Sequence, residues 1–138
     1  MKYFMITICL FFLIGCSINC YDNFTYEEEF ESLKDAFYWV VLNIKYVSDG
    51  PDNTYDYWQP AQETYDLQTG DCEDMTIIFN GFAKDMGYEP YFIWIDNHAF
   101  AQCNGIYYDP AHRTISETRN SGPGLKLNYK QLMWIINN

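Results

Sequence analysis

The sequence predicts an α+β fold in which N-terminal helices pack on a small antiparallel β-sheet built from the second half of the chain. Three observations carry this. Apolar residues recur at three- and four-residue spacing over 30–47 and again over 71–87. From Tyr91 onward the period changes to extended apolar runs. Asn104-Gly105 then sits between two such runs, the dipeptide of a two-residue hairpin turn. The 138 residues suit one domain, and 49% apolar with 20% aromatic composition supplies enough surface to offset ordering entropy. With 8 basic against 19 acidic residues and a net charge of -11, the chain repels phosphate backbones, so no nucleic-acid partner is expected.

Taken in order, Met1-Lys2-Tyr3 and the apolar run over 4–14 are too short for an ordinary membrane span and read as a secretory leader. The run ends in Leu13-Ile14-Gly15-Cys16, which resembles the bacterial lipobox. That resemblance implies a signal peptide over 1–15, lipidation at Cys16 and a tether over 16–24 before a single domain over 25–138. It also implies attachment to the membrane of a bacterial cell envelope, facing the periplasm or the exterior. Removal of Lys2 makes the mature chain one unit more negative. Cys20, Cys72 and Cys103 then remain, an odd number for an exported protein. A Cys20–Cys103 disulfide stays open, because sequence separation fixes no Cα distance.

Thr25 and Glu28 have the spacing of a capping box, which predicts a first helix carrying Phe30, Leu33, Phe37, Val41 and Ile44 on one face and running to about Val47. Asp49-Gly50-Pro51 stops it. Trp58-Gln59-Pro60 turns the chain into a short helix whose first residue is Pro60. The next helix starts at Asp71 or Cys72, buries Met75, Ile78, Phe79, Phe82 and Met86, and ends at Gly87. Strands follow over 91–95, 98–103 and 106–109, then a loop over 121–124 and a closing helix over 128–136.

Cys72 in the first turn of a helix stands where the dipole favours a thiolate, but Asp71, Glu73 and Asp74 oppose a negative sulfur, so the group needs a cation beside it. The hairpin offers one. Counting outward from Asn104-Gly105 pairs Cys103 with Ile106 and Gln102 with Tyr107, which sets His98, Phe100, Gln102, Tyr107 and Asp109 on one sheet face. His98 and Asp109 become diagonal neighbours on adjacent strands, close enough for a carboxylate to fix an imidazole tautomer. Cys103 lies on the opposite face. His112 reads as a loop residue.

Gly70-Asp71-Cys72-Glu73-Asp74, His98-Ala99-Phe100 and Tyr107-Tyr108-Asp109-Pro110 together resemble the transglutaminase-like superfamily. The acidic form around Cys72 is most similar to the bacterial transglutaminase-like cysteine proteinases, while Phe100 stands where many members carry Trp. The resemblance covers 55–110 and implies a papain-like, transglutaminase-like core. It assigns Cys72 as nucleophile, His98 as general base and acid, and Asp109 as the orienting carboxylate. The implied activity is that of an envelope-anchored cysteine peptidase or amidase acting through a thioester on a protein or peptide substrate, as a monomer. Alternatives are a protein-glutamine cross-linking transferase and a non-catalytic module binding peptide or glycan through its aromatic residues. Gln59 and Trp58 are candidates for a second oxyanion donor beside the backbone N–H of Cys72; otherwise Trp58 walls the cleft and Gln59 caps the helix after Pro60. No cofactor is required, although Asp71, Glu73 and Asp74 are oxygen ligands of the kind calcium takes, and the acidic subgroup binds calcium beside its nucleophile.

Overall fold

The computed structural model describes residues 24–50, 56–119 and 122–138. The leader, the lipidation residue Cys16 and Cys20 lie outside these. Phe24, the last residue of the expected tether, already belongs to the domain: it is buried, with its ring 5.2 Å from that of Phe82.

Burial alternates residue by residue from Phe24 to Glu31, the period of an extended segment. The Thr25–Glu28 capping box is therefore not formed. Thr25 instead donates its N–H and hydroxyl to Gln62 Oε1, and Glu28 accepts from the Tyr65 hydroxyl. Tyr26 and Phe30 set their rings 4.7 and 4.8 Å from Phe82, edge to face. That aromatic packing outweighs a cap of about 1 kcal/mol. Helix α1 begins later, at Leu33–Asn43, capped by the Ser32 hydroxyl, which accepts from the Asp35 N–H.

Nor does α1 reach Val47. Ile44 is already extended, and β1 (Lys45–Tyr46) pairs in parallel with β2 (Thr69–Gly70), which follows α2 (Ala61–Leu67). Pro60 is the residue before α2 rather than its first member. The short β1–β2 ladder, extended by Lys45 N–H to Gln68 O and Val47 N–H to Gly70 O at 2.9 Å each, fixes the backbone that leads into α3 (Cys72–Asp85).

Helix α3 is buried on every side from Cys72 to Ala83, so it is a central helix rather than an amphipathic one. Helices α1 and α2 pack on it, and so does the sheet. Met86 caps it and Gly87 takes φ 87°, the left-handed position foreseen for it.

Five strands form the sheet in the order β6-β5-β4-β3-β7, every neighbour antiparallel: β3 (Tyr91–Ile95), β4 (His98–Cys103), β5 (Ile106–Asp109), β6 (Thr114–Ser116) and β7 (Leu125–Asn128). Where α3 crosses β4 the inward residues are small, Ala99, Ala101 and Cys103, which lets the helix approach closely. Among the described residues Cys103 is a buried free thiol on this inner face, away from His98. Two tight turns set the registers. Asn104 and Gly105 both have positive φ, as do Asp96 and Asn97, so each hairpin turns in two residues and His98 becomes the first residue of β4. Helix α4 (Tyr129–Ile136), with an Asn128–Gln131 capping box, closes the domain. The described residues thus make an α+β domain of four helices and an antiparallel sheet, an arrangement compatible with a papain-like fold.

Candidate active site

The hairpin count holds in three dimensions. Cys103 pairs with Ile106, Gln102 with Tyr107 and Ala101 with Tyr108, so Asp109 lies diagonally across from His98. His98 Nε2 meets Asp109 Oδ2 at 2.8 Å. Its Nδ1 is left without a hydrogen-bond partner among the described residues.

Asp109 is 1% exposed and collects more donors than the sequence suggests. Arg119 donates to Oδ2 at 2.6 Å, His112 Nδ1 lies 3.1 Å from the same oxygen, and the His112 backbone N–H reaches Oδ1 at 3.1 Å. Burial alone would push this carboxyl up, but the bonds from His98, Arg119 and the His112 N–H outweigh it and hold it well below the usual carboxylate range. His112 is thus more than a loop residue: its ring lies 4.2 Å from that of His98. Arg119 was not foreseen. Its guanidinium stacks 3.6 Å over the Phe100 ring, which connects it to the site through tertiary packing that no motif encodes. On the same sheet face, a groove of 260 Å³ runs between Ile93, Ile95, Phe100 and Tyr107, with Gln102 and Lys126 at its side.

Cys72 and the hairpin, separate in sequence, come together. Helix α3, which Cys72 opens, packs on β4, which His98 opens. Among the described residues no hydrogen bond joins that sulfur to His98. The thiol, 6% exposed, donates instead to Glu73 Oε2 at 2.8 Å. Burial first, then this bond and the charges of Glu73 and Asp71, push the thiol up to about 12, against the pull of the Ala99 N–H. Burial of the sulfur, with its acidic neighbours, therefore outweighs the helix dipole, and Cys72 rests as a thiol.

All three flanking carboxylates are buried. Asp74 brackets the site: Oδ1 accepts from the Gln59 N–H at 2.8 Å and Oδ2 from the Asp71 N–H at 3.1 Å. Burial still raises it to about 7. Glu73, buried beside Asp71, rises to about 9. Asp71 is raised by burial as well, and its Oδ1 has no hydrogen-bond partner. Asp49, also not foreseen, brings an oxygen within 4.8 Å of Asp71 and Asp74. Gly70 admits Asp74 here, since a Cβ on it would stand 2.5 Å from that of Asp74.

Trp58 packs on β3, and Gln59 stands between α2 and this bracket. The Trp58 ring stands 4.8 Å from Phe92 and 5.6 Å from Trp94, while its indole N–H donates to Asp56. Gln59 Oε1 accepts from the Thr64 hydroxyl at 3.0 Å, which orients the amide and leaves its NH₂ group without a partner among the described residues.

No family model matches the chain, and no curated protein matches it. Among solved structures, a crystal structure from Cytophaga hutchinsonii described as a "Putative Cysteine Protease" superposes at a TM-score of 0.45 and 14% identity, over 75% of this chain. The superposition takes in 46% of that protein's own chain, so the present chain spans less than half of its length.

Proposed function

We propose that the chain is a cysteine peptidase or amidase of the transglutaminase-like class, with Cys72 as nucleophile, His98 as base and acid, and Asp109 as the residue that positions His98. The observation that carries this reading is the packing of α3, which opens with Cys72, on β4, which opens with an imidazole whose Nε2 is already held by a carboxylate. Nδ1 is then the nitrogen left to take the thiol proton. The sulfur adds to a peptide or carboxamide carbonyl, and His98 returns the proton to the leaving amine. Water resolves the thioester with His98 again as base. The Cys72 backbone N–H at the start of α3 and the uncommitted amide of Gln59 are the donors for the oxyanion, in preference to Trp58, whose indole N–H is engaged. The 260 Å³ groove beside Phe100 suits an apolar substrate side chain.

The resting thiol needs a counter-charge, and calcium is the ion we propose. Asp71 and Glu73 fit it: they are buried carboxylates in one turn, one with an orphan oxygen. Asp74, whose oxygens are committed to backbone N–H groups, and Asp49 stand beside them. When bound, the ion would supply positive charge beside the sulfur. Lipidation at Cys16 and an envelope location complete the proposal.

The test is incubation of the protein, with calcium, against a complex peptide mixture containing a labelled primary amine. New peptide termini from the wild type, absent with both Cys72→Ala and His98→Ala, are expected. Cleavage that persists in Cys72→Ala overturns the reading, and amine incorporation without cleavage reassigns the chain to transfer.

A further inference from the structure

Thiol chemistry uses one imidazole, yet two converge on Asp109. His98 Nε2 and His112 Nδ1 lie 2.8 and 3.1 Å from the same oxygen, Oδ2, and these three atoms sit within 4.8 Å of one another. Two imidazole nitrogens and one carboxylate oxygen, converging from a strand start, a strand end and the turn after it, are the donor set of a zinc-type divalent ion. Zinc bonds of 2.0–2.2 Å at tetrahedral angles set ligand atoms about 3.3–3.5 Å apart. The two His–Asp separations need to widen by only a few tenths of an ångström, and the two ring nitrogens lie within 4.8 Å of each other. The side chain of His112 is 64% exposed and free to make that adjustment. The fourth position would open to solvent or substrate.

We propose that His98, Asp109 and His112 form a site for a zinc-type transition-metal ion, and that the ion switches the thiol chemistry off. The switch follows from the tautomer. A metal on Nε2 of His98 uses that nitrogen's lone pair, so the remaining ring proton sits on Nδ1, the nitrogen that would otherwise accept the Cys72 proton. In His112 the proton moves likewise to Nε2. Both rings stay neutral and Asp109 stays ionised, so no net proton is lost. Arg119 now supplies the positive charge at this oxygen. On metal binding its guanidinium gives up Oδ2 and keeps its place over Phe100.

The inhibitory consequence rests on the peptidase reading, but the site does not, so binding is measured directly. Cobalt(II) and zinc, each alone as probe, are titrated into the wild type, Cys72→Ala and His112→Ala in buffer with excess calcium to fill hard-oxygen sites. One ion per chain is expected in the first two, with the same cobalt d–d spectrum and no thiolate charge-transfer band. Affinity should fall by about a hundredfold or more in His112→Ala, since loss of a direct ligand exceeds the 10–100-fold typical of outer-shell partners. Zinc should stop hydrolysis by the wild type at concentrations that His112→Ala withstands. Equal affinity in His112→Ala, or a thiolate band that disappears with Cys72→Ala, overturns the proposal and moves the metal to the Cys72 side. Absence of hydrolysis would remove the inhibition arm alone and leave the cobalt result decisive.

Discussion

Glu73→Gln should make Cys72 more acidic. In the structure the thiol stands at about 12, against 9.0 for an ordinary cysteine, and Glu73 contributes to that rise twice, as acceptor of the S–H and as a charge. At pH 8 a group at about 12 is ionised in roughly one molecule in ten thousand. Burial, the largest cause, and the Asp71 charge both survive the substitution, so the thiol should fall only part of the way. A drop of about one to two units is expected, within the range a single charged neighbour supplies. The thiolate fraction then rises about 10–100-fold at pH 10–11, where the wild-type Glu73 has lost its own proton. The assay is iodoacetamide labelling of Cys72 in chelator across pH 6–11, read as the midpoint of the rate profile, because low accessibility slows every variant alike. An unmoved or higher midpoint would refute the assignment of Glu73 as the group that holds the thiol protonated.

Other outcomes follow from the same geometry. His98→Ala should lower turnover by about 10²–10⁴, the usual contribution of a general base, with the Cys72→Ala variant as the floor. Asp109→Asn leaves His98, Arg119 and His112 facing a neutral amide and should cost about 1.5–3 kcal/mol in urea unfolding; a change under half that would mean Arg119 and His112 find other partners. Gly70→Ala drives a Cβ into Asp74 and should cost about 1–3 kcal/mol, with a shifted Cys72 labelling profile. In chelator, Glu73 (4.5 to about 9) and Asp74 (3.8 to about 7) retain protons that the unfolded chain has released. Their contribution is full near pH 4 and is lost as pH rises toward 7 and then 9, so Tm should fall across that window. Asp109 has the opposite sign, losing its contribution only below about pH 4. A flat Tm from pH 5 to 9 would refute the buried-carboxylate picture.

What was legible in the sequence is what local rules decide. A two-residue Asn104-Gly105 turn admits one register, so the His98–Asp109 diagonal could be counted without a structure. Helix α3 was legible because a cap, an apolar run and Gly87 agree. The start of α1 was not, because Phe24-Thr25-Tyr26-Glu27-Glu28-Glu29-Phe30 satisfies both a capping box and a two-residue alternation, and only the position of Phe82 chooses between them. Strands β6 and β7 carry three and four residues, and β7 has only Leu125 and Leu127 facing the core side, too few to show a period. The β1–β2 pair joins segments 24 residues apart through two residues each, and no local pattern announces it.

The state of Cys72 was the least legible part of the site, for a physical reason. Its sequence neighbours show carboxylates that oppose a thiolate, but how strongly they do so depends on burial, which multiplies every charge interaction. Exposed on a helix end, Asp71, Glu73 and Asp74 would be screened and the dipole would favour the thiolate. Buried at 7, 4 and 0% exposure beside a sulfur that is itself buried, they add to its desolvation and outweigh the dipole. On the proposed reading, a cation beside Asp71 and Glu73 is the group that would offset this. Calcium should therefore lower the midpoint of Cys72 labelling in the wild type and have little effect in Glu73→Gln, where the ligand and the opposing charge are lost together. An equal calcium response in both proteins would place the activating charge elsewhere.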